Sequence, residues 1–232
     1  MMDDSPFNFP IPNQPEGRLI SAQEAERLLL ARLEKCEVAL QDTLWDLAFF
    51  YSREKQQLVA QKYLERFIAI TSNPEKRAMA YLRQGQLMEQ MKNFEAAISF
   101  YTQAFSLEPE NTLTWYLINN NLGFCLNLFD RFAEAENYCR SAIKIDPERH
   151  NAYKNLAISL AGQGQYAEAS LNYIKAAMVA AVDQRALKLL EQLYAEHPEI
   201  SNEIPDIDSQ IKKCQDAFKE ATDIRRKKGE SK

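Results

Sequence analysis

Apolar residues recur at helical spacing along most of this chain. Ala25, Leu29, Leu33, Cys36 and Leu40 follow one another at intervals of four, four, three and four, which places them on one stripe of a helix. Further on, three aromatic residues are each followed three positions later by a small residue and seven beyond that by another: Phe94/Ala97/Ala104, Phe132/Ala135/Ala142 and Tyr166/Ala169/Ala176. The sets lie 38 residues apart (132 minus 94) and then 34 (166 minus 132), the period of a stacked helical hairpin. The pattern predicts an all-α fold, an α-α superhelix of about three clear hairpins and one degenerate one, with capping helices at the end. In such arrays each hairpin buries its apolar side only against its neighbours.

The boundaries follow from breakers and caps. Residues 1–20 carry Pro6, Pro10, Pro12 and Pro15 among Asn, Asp and Gln, and predict a flexible arm. Ser21 with Glu24 forms an S-x-x-E box that starts a helix, and the array is expected over 21–198. Its hairpins are expected at about 41–74, 78–111, 112–149 and 150–183. The first of these, with Leu44, Leu47, Ala48, Tyr51, Ala60, Leu64 and Phe67, keeps the spacing but lacks the turn glycine and closing proline. Between the clear units, Pro109 to Gly123 spans 14 residues where Pro147 to Ala157 spans 10, so four residues are inserted. Four residues is close to one helical turn, and the helix bearing Trp115 and Tyr116 is expected to start a turn early and protrude past its neighbours at 112–116. Residues 184–196, with Leu187, Leu190 and Leu193 on one side and charges on the other, predict a cap helix. Over 199–232 a C-terminal helix bearing Ile207, Ile211, Cys214, Phe218 and Ala221 leads to a basic tail, Arg225–Lys228; a cap, a plug in the groove and a contact with a second copy are all open to it, the cap being preferred.

Composition narrows the function. With 28 Lys plus Arg against 33 Asp plus Glu the net charge is −5, which supplies no general field for a phosphate backbone, so no nucleic-acid partner is expected. No stretch approaches the ~20 apolar residues of a membrane span, and the N-terminus has no secretory pattern. The four cysteines, Cys36, Cys125, Cys139 and Cys214, are far apart without paired metal-ligand spacing and read as reduced core residues. A cytoplasmic location is expected, and neither cofactor nor metal.

The small and aromatic positions resemble the tetratricopeptide repeat, well over 78–183 and loosely over 41–196. Gly85, Gly123 and Ala157 occupy the place where the two helices of a hairpin approach closely, with Ala97, Ala135 and Ala169 opposite. Phe94, Phe132 and Tyr166 are expected to fill the closed end of the hairpin. Gln84 and Asn119 depart from the family pattern, standing where apolar residues are usual.

The resemblance implies that the first helix of each hairpin lines a concave face through its second, fifth, sixth, ninth, twelfth and thirteenth positions. Counted from Ala78, Tyr116 and His150, these positions include the candidate peptide-binding residues Arg83, Gln86, Gln90, Asn120, Asn121, Phe124, Asn127, Asn151, Lys154, Asn155 and Ile158. The amides offer donors and acceptors to the main chain of an extended peptide, Phe124 and Ile158 offer apolar pockets, and Arg83 and Lys154 offer anchors for a carboxylate. The competing reading is that Asn121 and Asn155 bond within the array. Leu82 and Gln86 stand where a two-carboxylate clamp needs Lys and Asn, so that clamp is not expected.

No catalytic motif is present, His150 and His197 read as helix-terminal residues, and no enzyme activity is expected. The function implied is a non-catalytic module that holds a peptide segment of a partner protein, an adaptor or chaperone-like scaffold existing as a monomer or weak homodimer. The alternatives are an assembly subunit that uses the 112–116 turn and terminal helices, and a chaperone of the type III secretion class II kind.

Overall fold

The computed structural model describes Phe7–Asn8, Leu19–Ile20 and residues 22–229. The chain divides into two compact units, Met1–Ser72 and Asn73–Lys232. In the first, β1 (Phe7–Asn8) pairs antiparallel with β2 (Leu19–Ile20), a two-residue ladder that the proline-rich composition of the arm did not suggest. The rest of that arm, and the Ser21 end of the capping box, lie outside the described residues. Helix α1 (Ala22–Arg53) runs without a break through residue 40, so the amphipathic stripe and the first half of the degenerate hairpin are one helix of 32 residues. It pairs with α2 (Gln57–Ile70) through Trp45 on Phe67 and the stacked rings of Tyr51 and Tyr63.

The second unit is the array. Helix α3 (Pro74–Gln90) pairs with α4 (Phe94–Phe105), α5 (Thr112–Asn127) with α6 (Phe132–Ile145), and α7 (His150–Gly162) with α8 (Tyr166–Val179). The first helices α3, α5 and α7 lie side by side, and α9 (Gln184–Glu196) continues the stack against α8. The short α10 (Ile200–Glu203) leads into α11 (Ile207–Gly229), which packs on α8 and α9 and buries Ile207, Ile211 and Cys214 there. Helix α11 therefore closes the end of the stack through α8 and α9.

Every hairpin turn is built alike. Asn93 N–H donates to the Met88 carbonyl at 2.8 Å, and Gln56, Arg131 and Gln165 donate in the same way to Tyr51, Leu126 and Leu160. This is the bond of a Schellman ending, which needs a left-handed residue one position earlier. Those residues are Lys55, Lys92, Asp130 and Gly164, with φ of 58°, 60°, 56° and 77°. Only the last is glycine, and nothing lies within 4 Å of the Cβ it lacks, so the difference between the turns is backbone strain alone. Lys92→Gly and Asp130→Gly are each expected to stabilise the array by up to about 1 kcal/mol, and Gly164→Ala to destabilise it by about as much, read as shifts of the urea midpoint.

The early helical turn is shared. Asn111 caps α5 by accepting from Thr114 N–H at 2.9 Å, and Asn73 caps α3 by accepting from Lys76 N–H at 3.0 Å. With Pro74 fixing its first residue, α3 begins four residues before Ala78, as α5 begins four before Tyr116. The Glu110 N–H donates to the Glu75 carboxylate at 2.8 Å, joining the two starts. The 112–116 turn extends beyond α7 but not beyond α3, and Trp115 lies stacked on Phe105 at 4.7 Å, with Tyr138 edge-on to the same ring. The expectation that this turn protrudes past its neighbours holds against α7 and is corrected against α3, which starts equally early.

Close helix approach is visible at the small residues. A Cβ on Gly85 would stand 2.3 Å from the Tyr101 ring, and one on Gly123 would stand 2.4 Å from Cys139 Sγ and 3.3 Å from the Ala135 carbonyl. The aromatics at the start of each second helix reach farther than expected. Phe94 meets Phe124, the Phe132 ring covers Gly162, and Tyr166 stacks on His197 at 3.6 Å, so each crosses to the far end of the next first helix and ties neighbouring hairpins together.

Candidate functional site

The parallel helices α3, α5 and α7 bring the eleven candidate residues onto neighbouring surfaces but at two depths. Arg83, Gln86 and Gln90 on α3, Asn121 and Phe124 on α5, and Asn151, Lys154 and Ile158 on α7 are exposed or half-buried. Arg83 donates to Gln86 Oε1 at 2.9 Å, and Phe124 rests edge-on against Phe94. The other three lie behind that face: Asn120 is 7 % exposed, Asn127 8 % and Asn155 2 %.

Their amides are engaged with one another. Asn155 Nδ2 donates to Asn120 Oδ1 at 3.1 Å, Asn120 Nδ2 donates to Asn121 Oδ1 at 3.0 Å, and Asn121 Nδ2 donates to the Tyr101 hydroxyl at 3.2 Å. That hydroxyl donates to Glu89 Oε1 at 2.6 Å. On the other side, Asn127 Nδ2 donates to the Asn155 carbonyl at 2.8 Å and accepts from Ser159 Oγ at 2.8 Å. The chain of bonds runs from α3 through α4 and α5 to α7, so it clamps three hairpins at one level. Buried polar groups are stable only when paired in this way. Burial pushes the Glu89 carboxyl above its ordinary value against the pull of the Tyr101 hydroxyl, and burial with the Glu89 charge pushes the Cys125 thiol far up, since its sulfur lies 3.6 Å from Glu89.

Among the described residues no group of three or more His, Cys, Asp or Glu is placed to hold a metal ion, and no helix is long and apolar enough to cross a membrane.

Comparison with known sequences agrees with the repeat period. The tetratricopeptide repeat profile matches residues 78–111 and 117–149, which are the α3–α4 and α5–α6 hairpins with their turns. These two hairpins are tetratricopeptide repeats. It is 35% identical over 95 residues to the DnaJ homolog subfamily C member 7 homolog of Dictyostelium discoideum, over 40% of this chain and 17% of that one. It is 26% identical over 114 residues to the heat shock protein STI1 of Saccharomyces cerevisiae, over 49% of this chain and 19% of that one. The chain thus spans under a fifth of the length of these relatives. Among solved structures, MamA of Desulfovibrio magneticus RS-1 superposes with a TM-score of 0.60 at 14% identity, over 81% of this chain and 96% of that one. YrrB, described as a tetratricopeptide repeat protein with an unusual peptide-binding site, superposes with a TM-score of 0.56 at 19% identity, over 78% and 90%. At such identities the likeness is one of fold. The tetratricopeptide array is a protein-interaction scaffold.

One more tetratricopeptide-like first helix belongs to the array than the candidate residues assumed. A further step of 34 residues from His150 reaches Gln184, so Arg185 and Lys188 on α9 repeat the positions of Asn151 and Lys154. Both are exposed. The period alone could have found them; the missing small residue and closing proline after residue 183 hid the unit.

At this end Asp183 caps α9 by accepting from Arg185 N–H, takes the Arg185 guanidinium at 2.6 Å and lies 3.3 Å from His150 Nε2. The hydrogen bonds from Arg185 hold its carboxyl well below the ordinary 3.8, against the effect of burial. A depressed carboxyl contributes stability present above its unfolded pKa and lost as pH falls through the folded one. Asp183→Asn keeps the cap but not the charge. It is expected to be less stable than the wild type at pH 7, with the gap closing as pH falls below about 4; thermal unfolding at a series of pH values checks it, and a constant gap would contradict it.

Proposed function

We propose that the face formed by α3, α5 and α7 binds an extended segment of another protein, and that the chain acts as a non-catalytic adaptor or chaperone-like scaffold, monomeric or weakly dimeric, in the cytoplasm. The observation that carries this reading is apolar surface left uncovered at inner positions: Leu128 is 49 % exposed and Met79 37 %, with Phe124 and Ile158 half-open among amides. Apolar side chains grouped with polar ones on one face of a scaffold mark a contact surface. Arg83, Gln86, Gln90, Asn121, Phe124, Asn151, Lys154 and Ile158 make the contacts, and Asn120, Asn127 and Asn155 hold them in place from behind. The amides bond the main chain of the segment, as an added strand is held in other peptide-binding modes. The peptide-binding site named for YrrB and the heat shock name of STI1 support the same class of work here.

The test is a photo-reactive residue introduced singly at positions 83, 90 and 151 of the inner helices or at 137, 141 and 171 of α6 and α8. Covalent partners are expected from the first set and not from the second. Equal yields from both sets would overturn the reading.

A further inference from the structure

We propose that helix α1 carries a dimer seam, along which a second copy of this chain pairs its own α1 in parallel; the seam lies on a different helix from the peptide-binding face and does not rest on that reading. Leu29, Leu33, Cys36, Leu40, Thr43 and Leu47 succeed one another at intervals of four, three, four, three and four, and Phe50 follows after three more. So strict an alternation is a seven-residue repeat with a period of 3.5, which keeps these positions facing one partner helix along a stretch of about 31 Å. Helix α2, of 14 residues, is too short to be that partner and packs to one side, where Leu44 and Ala48 are buried. Cys36, Leu40, Thr43 and Phe50 stay exposed and Leu47 half-buried. Among the other described helices α11 alone matches the length, and it is packed on α8 and α9.

A second α1 supplies a helix of the same length and the same repeat, and the charges beside the seam select its direction. In a parallel pair the residue just before one seam position meets, across the interface, the residue five places later in the other helix. Arg32 then meets Glu37 of the second copy, twice in a symmetric dimer. The pairs that follow, Ala39 with Leu44 and Asp46 with Tyr51, set no like charges together. An exposed apolar seam is costly in water, and closing it against a like helix removes that cost. Neither the 112–116 turn nor α11 offers a comparable surface, since Trp115 is stacked on Phe105, and Ile207, Ile211 and Cys214 are buried against α8 and α9.

Sedimentation equilibrium of the full chain at micromolar concentrations tests the seam, beside variants whose helicity is checked by circular dichroism. The wild type is expected to be a dimer, and Leu40→Glu, which sets a charge in the seam at an exposed position, a monomer. Glu37→Arg, which faces Arg32 of the second copy with a like charge, is expected to weaken the dimer about tenfold, and Arg32→Glu added to it to restore the wild-type constant. A wild type that is monomeric or forms larger oligomers, or a dimer that survives Leu40→Glu, would overturn the inference. So would a dimer that Glu37→Arg leaves unweakened or Arg32→Glu fails to rescue, because the parallel arrangement requires that pair.

Discussion

Replacing Tyr101 by alanine is expected to destabilise the array by about 3–5 kcal/mol, the cost of emptying the space of a buried aromatic ring. The ring is wholly buried on α4 and lies against the Cα of Gly85, and its hydroxyl joins Glu89 to Asn121. The loss has two parts that other substitutions separate. Tyr101→Phe keeps the ring and removes only the hydroxyl, and is expected to cost about 1–3 kcal/mol through the unpaired groups left on Glu89 and Asn121. Gly85→Ala keeps the hydroxyl but drives a methyl into the ring, which overpacks by about 1–3 kcal/mol and is offset by up to about 1 kcal/mol of helix propensity. In the Tyr101→Ala background that clash is gone, so Gly85→Ala is expected to turn neutral or stabilising. Denaturant unfolding of the four combinations gives the coupling, and its absence would mean that Gly85 is not there for the ring. Because a repeat array leans on nearest neighbours, the loss should fall first on α3 and α4.

Asn120→Ala and Asn155→Ala are each expected to cost about 1–3 kcal/mol, and the double variant clearly less than their sum. The first removes both the bond to Asn121 and the acceptor of Asn155; the second removes the donor to Asn120. Once either is gone the bond between them is already lost, so the second substitution does not remove it again. If Asn155 were only a peptide contact, as the resemblance implies, alanine there would be harmless to the fold and harmful to binding. The structure reverses the first half of that expectation, because the side chain is buried between hairpins. Strict additivity in equilibrium unfolding would contradict the network.

These cases show where sequence reasoning reached and where it stopped. The hairpins were legible because packing imposes size: Gly85 and Gly123 must be small, and Ala97, Ala135 and Ala169 must let a neighbour in. The continuity of α1 was not, since residues 18–73 hold neither Gly nor Pro and nothing in the sequence marks where a helix is joined to the next pattern. Asn73 and Asn111 stand in equivalent places before α3 and α5, but the spacing from Pro109 to Gly123 reveals the extra turn only for α5. Repeat position tells which side of a helix a residue takes but not how far the next helix covers it. Asn121 therefore stays half-open to solvent while Asn120, one residue away, is buried. The cap helix expected at 184–196 is α9, but its likeness to a repeat's first helix was hidden for a related reason: α9 is covered by α11, and that covering replaces the small residues by which the earlier units are recognised.

Amide hydrogen exchange, with and without a partner recovered by inner-face crosslinking, tests most directly whether the first helices hold that partner. The account predicts slower exchange on binding in the peptides of α3, α5 and α7, and little change in α6 and α8. Protection confined to α6 and α8, or to α1 and α2, would contradict it.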